Sequence, residues 1–264
     1  MMYFLKNYLF YLYSFIATKY ENFFFRDNTK INFNSEFHKF GYQTFNLNKN
    51  LTLPVDLSQS HIANPYLNKI LLSEDQINEI ISKIFIENNI ANLLYQLTGF
   101  KYNIDHITAY ETKHIPEKDR HKGWYANHWH KDGPYSKNNI KLVVPLNDIK
   151  ESSGGMKIMK SKFSEKFSPA LGSNKEFKPS FIFESNSLEN ILIFAPHLCL
   201  HKAGNPFLGV IRRQLIFQLN PASSWSSGKY LFKNQKFIEP KFPIIYNFFK
   251  GNDSVKKLIL DIDQ

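Results

Sequence analysis

Apolar residues are spaced in two different ways along this chain, and the change of spacing divides it. Between Ser73 and Asn89, the stretch SEDQINEIISKIFIENN sets Ile77, Ile80, Ile81 and Ile84 three and four residues apart, the spacing of one helix face. Ser73 precedes the first apolar position and Glu74 and Asp75 follow it, so the cap and the first-turn charges of a helix N-terminus are both in place. A second helical run, Ile90 to Leu97, stops at Thr98-Gly99. From Tyr102 onward the runs are short and β-prone: Ile104–Tyr110, Lys141–Leu146, Met156–Met159, Phe181–Phe183, Ile191–Phe194 and Gln214–Leu219, punctuated by Pro, Gly, Asn and Ser. No helix-length pattern separates them, which argues against a βαβ sheet. Helices first and many short strands afterwards predict an α+β chain, mainly β, whose β part is a sandwich or jelly roll.

The two ends are patterned differently. The stretch between Lys6 and Lys19 is apolar and aromatic but too short to span a bilayer, and no small-residue cleavage site closes it. It reads either as an interfacial helix in peripheral contact with a membrane or as an aromatic helix packed on the domain core, and the second is the plainer reading. Residues 26–65 mix Asn, Ser, Thr and Pro with short apolar runs and read as irregular structure. The expected organisation is an N-terminal extension over 1–65, either part of the same domain or membrane-proximal. A single main domain over 66–225 would hold helices at 73–99 and a jelly roll at about 100–225. A C-terminal extension over 226–264 would carry a short helix near Ser254–Leu260.

Composition narrows the chemistry. With 43% hydrophobic residues over 264 positions, a sizeable core can form. One cysteine, Cys199, excludes an internal disulfide and any cysteine-built cluster, and fits a reducing, cytoplasmic setting. The net charge of +10 comes from scattered lysines without a dense basic block, so nucleic acid is not an expected partner. The basic balance leans towards an acidic small-molecule substrate, and the aromatic N-terminus towards a lipid-like one.

Two segments carry candidate chemistry: NHWHKDGPYS at 127–136 and the longer stretch 191–221. On a strand, alternate side chains share a face, so His130 and Asp132 would be neighbours at a strand end closed by Gly133-Pro134. His201, between a β-prone run and the turn Gly204-Asn205-Pro206, is a third candidate. Two histidines and one carboxylate make a facial triad that leaves coordination positions open. Arg212 follows His201 by eleven residues and offers a guanidinium to a carboxylate, with Arg213 as its competitor. His128 could instead pair with His130 as H-x-H. His197 and Cys199 alternate with His201 and could line the site or sit behind it. The segment 111–127, with His114, His121, Trp124 and Tyr125, reads as a loop beside the mouth and as the source of substrate contacts.

These pieces together resemble the phytanoyl-CoA dioxygenase-like family of Fe(II)/2-oxoglutarate oxygenases. The likeness rests on His130-Lys131-Asp132, Val143-Val144-Pro145-Leu146-Asn147-Asp148, Gly154-Gly155, Phe194-Ala195-Pro196, His201-Lys202-Ala203-Gly204-Asn205 and Arg212, and covers roughly residues 100–221. It implies a double-stranded β-helix (jelly roll) with the N-terminal helices packed on it. It implies Fe(II) held by His130, Asp132 and His201, and 2-oxoglutarate clamped by Arg212. Gln214 stands where the family often has a small hydroxyl residue, so Tyr110 or Lys141 would make the second contact to the co-substrate. The implied reaction is hydroxylation of a small-molecule or lipid-like substrate, with succinate and CO2 as co-products. The carboxylate of Asp132 speaks against halogenation. A cupin-type metal enzyme without 2-oxoglutarate and a non-catalytic jelly-roll binding protein are the alternatives.

Overall fold

In a computed structural model, residues 2–48, 51–132, 136–167 and 176–227 are described. The expected helix near Ser254–Leu260 and the Gly133-Pro134 strand stop lie outside them. The chain opens with α1 (Met2–Phe24) and α2 (Glu36–Phe40), then β1 (Tyr42–Asn46), β2 (Ser60–Asn64) and β3 (Leu67–Ile70). Next come α3 (Glu74–Ile81), α4 (Ile90–Thr98), β4 (Lys101–Thr112), β5 (Ile140–Pro145), β6 (Lys157–Ile158) and α5 (Ser161–Ser164). The last described elements are β7 (Phe181–Ile182), β8 (Asn190–Phe194), β9 (His201–Lys202), β10 (Arg212–Ala222) and β11 (Ser226–Ser227). The larger sheet has the order β1-β8-β5-β10-β4-β3-β2, with β11 added beside β4, and the smaller sheet has β7-β6-β9. Among the described residues every strand pair is antiparallel except β11 with β4. The fold is mainly β with helices on one side, as the jelly-roll reading requires.

Strand alternation explains how the barrel gains a polar inside. On β10, Leu215 and Phe217 join Leu142 and Val144 of β5 and Ile191 and Ile193 of β8 in one cluster with Ile77, Ile80, Ile81, Ile84 and Leu94 of the helical layer. Burying each such side chain contributes roughly 1.5–3 kcal/mol. The alternate positions Arg212, Gln214, Ile216 and Gln218 face the other way, beside Val143, Leu192 and Phe194 of a second cluster. The cap at Ser73 forms as a full capping box with Gln76. The single helical run expected from Ser73 through Ile84 does not persist, because after Ile81 the backbone loosens into a π-type turn over Ser82–Glu87.

Two N-terminal expectations need correction. Residues 26–65 are not wholly irregular, since β1 pairs with β8 along its length and β2 pairs with β3. The helix α1 meets the protein with its small and polar side: Ser14, Ala17 and Glu21 are buried. Its aromatic side points out, with Phe15 55%, Ile16 56% and Phe23 80% exposed. Among the described residues no helix is long and apolar enough to cross a membrane.

The polar side of α1 grips the segment just beyond the H-x-D motif. Thr18 Oγ1 accepts from the Lys137 amide at 2.9 Å, and Asn138 donates to Glu21 Oε2 at 2.9 Å. Burial pushes the Glu21 carboxyl up to about 7, and hydrogen bonds from Ser136 and Asn138 only partly offset it. A folded-state value above the unfolded one means that Glu21 costs stability progressively as pH rises from about 4.5 to about 7. Glu21→Gln is therefore expected to gain on the order of 2–3 kcal/mol relative to wild type between pH 5 and pH 8. Urea denaturation at both pH values checks this; an equal difference at the two would overturn it.

Candidate metal centre

The H-x-D motif is not held by a regular strand. His130 is joined to His201 by an isolated antiparallel bridge, with His130 N to His201 O at 3.0 Å and His201 N to His130 O at 2.8 Å. Asp132 N reaches Pro196 O at 3.0 Å. The pairing of segments 130–132 and 196–201 brings His201 to His130 and Asp132, while the Lys131 between them turns away to Ser164 O.

Their ligand-capable atoms lie within 4.8 Å of one another. Asp132 Oδ1 is 3.5 Å from His130 Nε2 and 3.5 Å from His201 Nε2. Atoms sharing a first-row ion at bond lengths of about 2.1 Å sit roughly 3–4 Å apart. Each imidazole is turned by its own backbone: His130 Nδ1 donates to His128 O at 2.8 Å, and His201 Nδ1 to Cys199 O at 2.9 Å. A carbonyl only accepts, so Nδ1 carries a proton and Nε2 is the nitrogen turned to the cluster. Burial, and next the neighbouring His201, lower His130 to about 4, which keeps it neutral near pH 7. Burial alone would raise Asp132; Lys141, then His201 and His130, overcome it and hold the carboxylate well below the ordinary range. The donor set of two imidazoles and one carboxylate suits a divalent first-row metal.

Lys141 makes a close ion pair with Asp132 Oδ2. Sequence reasoning placed it beside a co-substrate; the structure sets it first against the carboxylate of the cluster. Tyr110 lies opposite Gln214 across β4 and β10 and accepts a hydrogen bond from its side chain. The residue at the hydroxyl position is thus tied to the tyrosine named as its substitute.

Arg212 is 1% exposed. Its Nη1 donates to the carbonyls of Gly154 and Gly204, the latter at 3.2 Å, while Nε and Nη2 are buried without a hydrogen-bond partner among the described residues. Burial lowers the guanidinium, though arginine stays charged near pH 7. A buried cation with two idle donors is costly unless an anion meets it. Arg213 points the other way, its Nε 2.9 Å from Glu111 Oε2. The two carbonyls beneath Arg212 were invisible in the sequence. They meet there because Gly154 and Gly204 come back to back: a Cβ on Gly204 would lie 2.6 Å from Gly155 O and 2.7 Å from Gly154 O.

The other candidates fall behind the cluster or beside it. His128 Nε2 donates to Arg120 O at 2.8 Å, so the H-x-H pair does not form. His197 and Cys199 sit in a turn rather than on a strand with His201, and both are buried. Burial lowers His197 to about 3 and raises the Cys199 thiol to about 12, so both are neutral. Trp124 and Tyr125 anchor their loop: Trp124 Nε1 reaches Asp119 O at 3.1 Å, and Tyr125 OH reaches Lys113 O at 3.0 Å and Asn205 Oδ1 at 3.2 Å. Asn205, which sequence reasoning noted only as part of a turn, also takes the Ile115 amide on Oδ1 at 2.7 Å and returns Nδ2 to Ile115 O at 3.0 Å.

No protein-family model matches the sequence, and no curated protein matches it either. Among solved structures, similar folds include the epimerase SnoN in complex with Fe3+, alpha ketoglutarate and nogalamycin RO. It shares 14% identity at a TM-score of 0.47, over 70% of this chain and 81% of that one. HygX from Streptomyces hygroscopicus, with nickel and 2-oxoglutarate bound, shares 10% identity at a TM-score of 0.48, over 72% and 86%. The alpha ketoglutarate dependent carbocyclase SnoK shares 8% at 0.42, over 69% and 80%. Likeness at this level says nothing about chemistry, which rests on the side chains.

Proposed function

We propose that this protein is a non-haem Fe(II)- and 2-oxoglutarate-dependent dioxygenase of the phytanoyl-CoA dioxygenase-like kind, hydroxylating a small-molecule substrate. One observation carries the reading: a buried arginine with two idle donors stands on the inner face of the same barrel as a His-Asp-His cluster. A metal cluster alone fits a cupin enzyme equally well. A buried cation without an anion calls for a carboxylate ligand, and 2-oxoglutarate has one to spare when its keto acid end is on a metal.

His130, Asp132 and His201 would hold the iron, and Arg212 the far carboxylate of the co-substrate. When bound, Fe(II) with 2-oxoglutarate supplies the oxidising chemistry: one oxygen atom of O2 goes into succinate, formed with CO2, and the other into the substrate as a hydroxyl. The chain's own residues do the rest. The His128 and Cys199 carbonyls hold Nδ1 of both imidazoles, so Nε2 is the nitrogen each ring offers to a metal. Lys141 engages Asp132 Oδ2 and leaves Oδ1 towards the imidazoles, which favours binding through one oxygen. Tyr110, held by Gln214, offers its hydroxyl towards the same interior as Arg212.

Anaerobic titration of the metal-free protein with Fe(II) and 2-oxoglutarate tests the proposal. The expected result is the weak visible charge-transfer band of an iron–keto acid chelate, absent with either component alone. Iron binding without the band would favour the cupin reading, and absence of iron binding would leave a jelly-roll binding protein.

A further inference from the structure

Beside the iron-binding candidates lies a cavity of about 520 Å³ that they do not line. Its walls come from the loop 114–128, from Lys157 on β6 and from the segment 202–207. The charge of this lining is lopsided. Among the described residues, Arg120, Lys157 and Lys202 face it with a single carboxylate, Glu176. Both Glu176 oxygens are taken by Lys202 Nζ, each at 2.7 Å, so that pair cancels. Among the described residues, Arg120 and Lys157 have no carboxylate partner, and His114, His121 and His128 add imidazoles to the same walls. Two uncompensated cations in a concave, partly walled space raise the local concentration of anions.

The walls are also built to hold their shape. His114 Nδ1 donates to Pro206 O at 2.7 Å, and Arg120 Nε to Ile115 O at 3.2 Å. Asn127 Nδ2 ties Arg120 O at 3.2 Å to Lys122 O at 3.0 Å. These bonds use the loop's backbone carbonyls and leave the Arg120 Nη donors and the Lys157 ammonium for a ligand. On the paired strands β6 and β9, Lys157 and Lys202 face one way and Ile158 and His201 the other, so these cations lie on the side of the small sheet away from the metal cluster.

We propose that this cavity binds a phosphate group of a small-molecule ligand, at a site separate from the metal cluster. A guanidinium fork, an ammonium and several imidazoles converging from different walls suit a dianion with three outward oxygens better than a flat carboxylate. The anion site does not rest on the oxygenase reading.

The test is isothermal titration of the full chain with inorganic phosphate at fixed ionic strength, metal-free and again anaerobically with Fe(II) and 2-oxoglutarate. Wild type is expected to bind phosphate saturably in both states. The double variant Arg120→Gln/Lys157→Gln is expected to bind it at least about tenfold more weakly while taking up Fe(II) and 2-oxoglutarate as wild type does. Arg120 is exposed and Lys157 half-buried, so the fold should survive, and the two single variants give the same reading in parts. The control Lys39→Gln/Lys83→Gln removes equal charge elsewhere and is expected to leave phosphate binding unchanged. Non-saturable binding, an equal loss in the control, or displacement of phosphate by 2-oxoglutarate would each overturn the proposal. Phosphate binding without iron binding would keep the anion site and sink the oxygenase reading; iron and 2-oxoglutarate binding without phosphate would do the reverse.

Discussion

Replacing Arg212 by glutamine is expected to weaken 2-oxoglutarate binding by on the order of 100-fold, while Fe(II) still binds. Truncating one side of a buried, hydrogen-bonded charge pair costs about 2–5 kcal/mol, and about 2.7 kcal/mol is a hundredfold in affinity. The arginine also seats on the Gly154 and Gly204 carbonyls, so the variant loses some stability as well. Iron uptake separates the two effects, since a collapsed barrel would lose both ligands. Arg212→Lys keeps the charge but not the fork, and is expected to recover binding only in part. Arg213→Gln, which removes an ion pair to Glu111 on the opposite face, is expected to leave 2-oxoglutarate binding unchanged. Equilibrium binding of 2-oxoglutarate to the iron-loaded variants decides the matter. Unaltered affinity in Arg212→Gln would remove the clamp from the proposal.

The second large effect is expected at Asp132. Asp132→Ala takes away the one carboxylate of the cluster and the partner of Lys141, and leaves that ammonium facing two imidazoles. Removing a group that merely supports a ligand costs roughly 10–100-fold in metal affinity. Loss of a ligand itself should exceed that, so Fe(II) binding is expected to fall below detection in ordinary anaerobic titration. Asp132→Glu keeps the charge but lengthens the arm by one carbon, and is expected to bind with intermediate affinity. If Asp132→Ala bound iron as wild type does, the metal would have to lie elsewhere.

Much of the fold could be read from spacing because its strands are long or strongly apolar. Runs such as Lys141–Leu146 and Gln214–Leu219 stand out on composition, and β4, β5, β8 and β10 cover them. The strands β1 and β2 were missed for the opposite reason. They are five residues each, and β2 is mostly exposed, so they become strands through their neighbours and not through any pattern of their own. At the site, residue identities could be read from the motif, but the scaffold could not. His201 meets His130 and Asp132 because two distant segments pair. The ion pair between Lys141 and Asp132 and the carbonyls under Arg212 depend on which backbones face each other, and no local sequence signal encodes that. The outward turn of the aromatic side of α1 was hidden too, because hydrophobic patterning predicts burial of that side. The side of α1 that turns inward instead meets the segment 136–138 through Thr18 and Glu21.

The seat of Arg212 is made of carbonyl oxygens, which every residue type possesses, so exchanging side chains at Gly154 or Gly204 deletes neither acceptor. Evolution or an engineer can only push the two strands of backbone apart, and one added carbon at Gly204 is enough to do so. Those glycines are therefore points from which the guanidinium can be unseated at a distance, by variants that never touch the arginine or anything it binds.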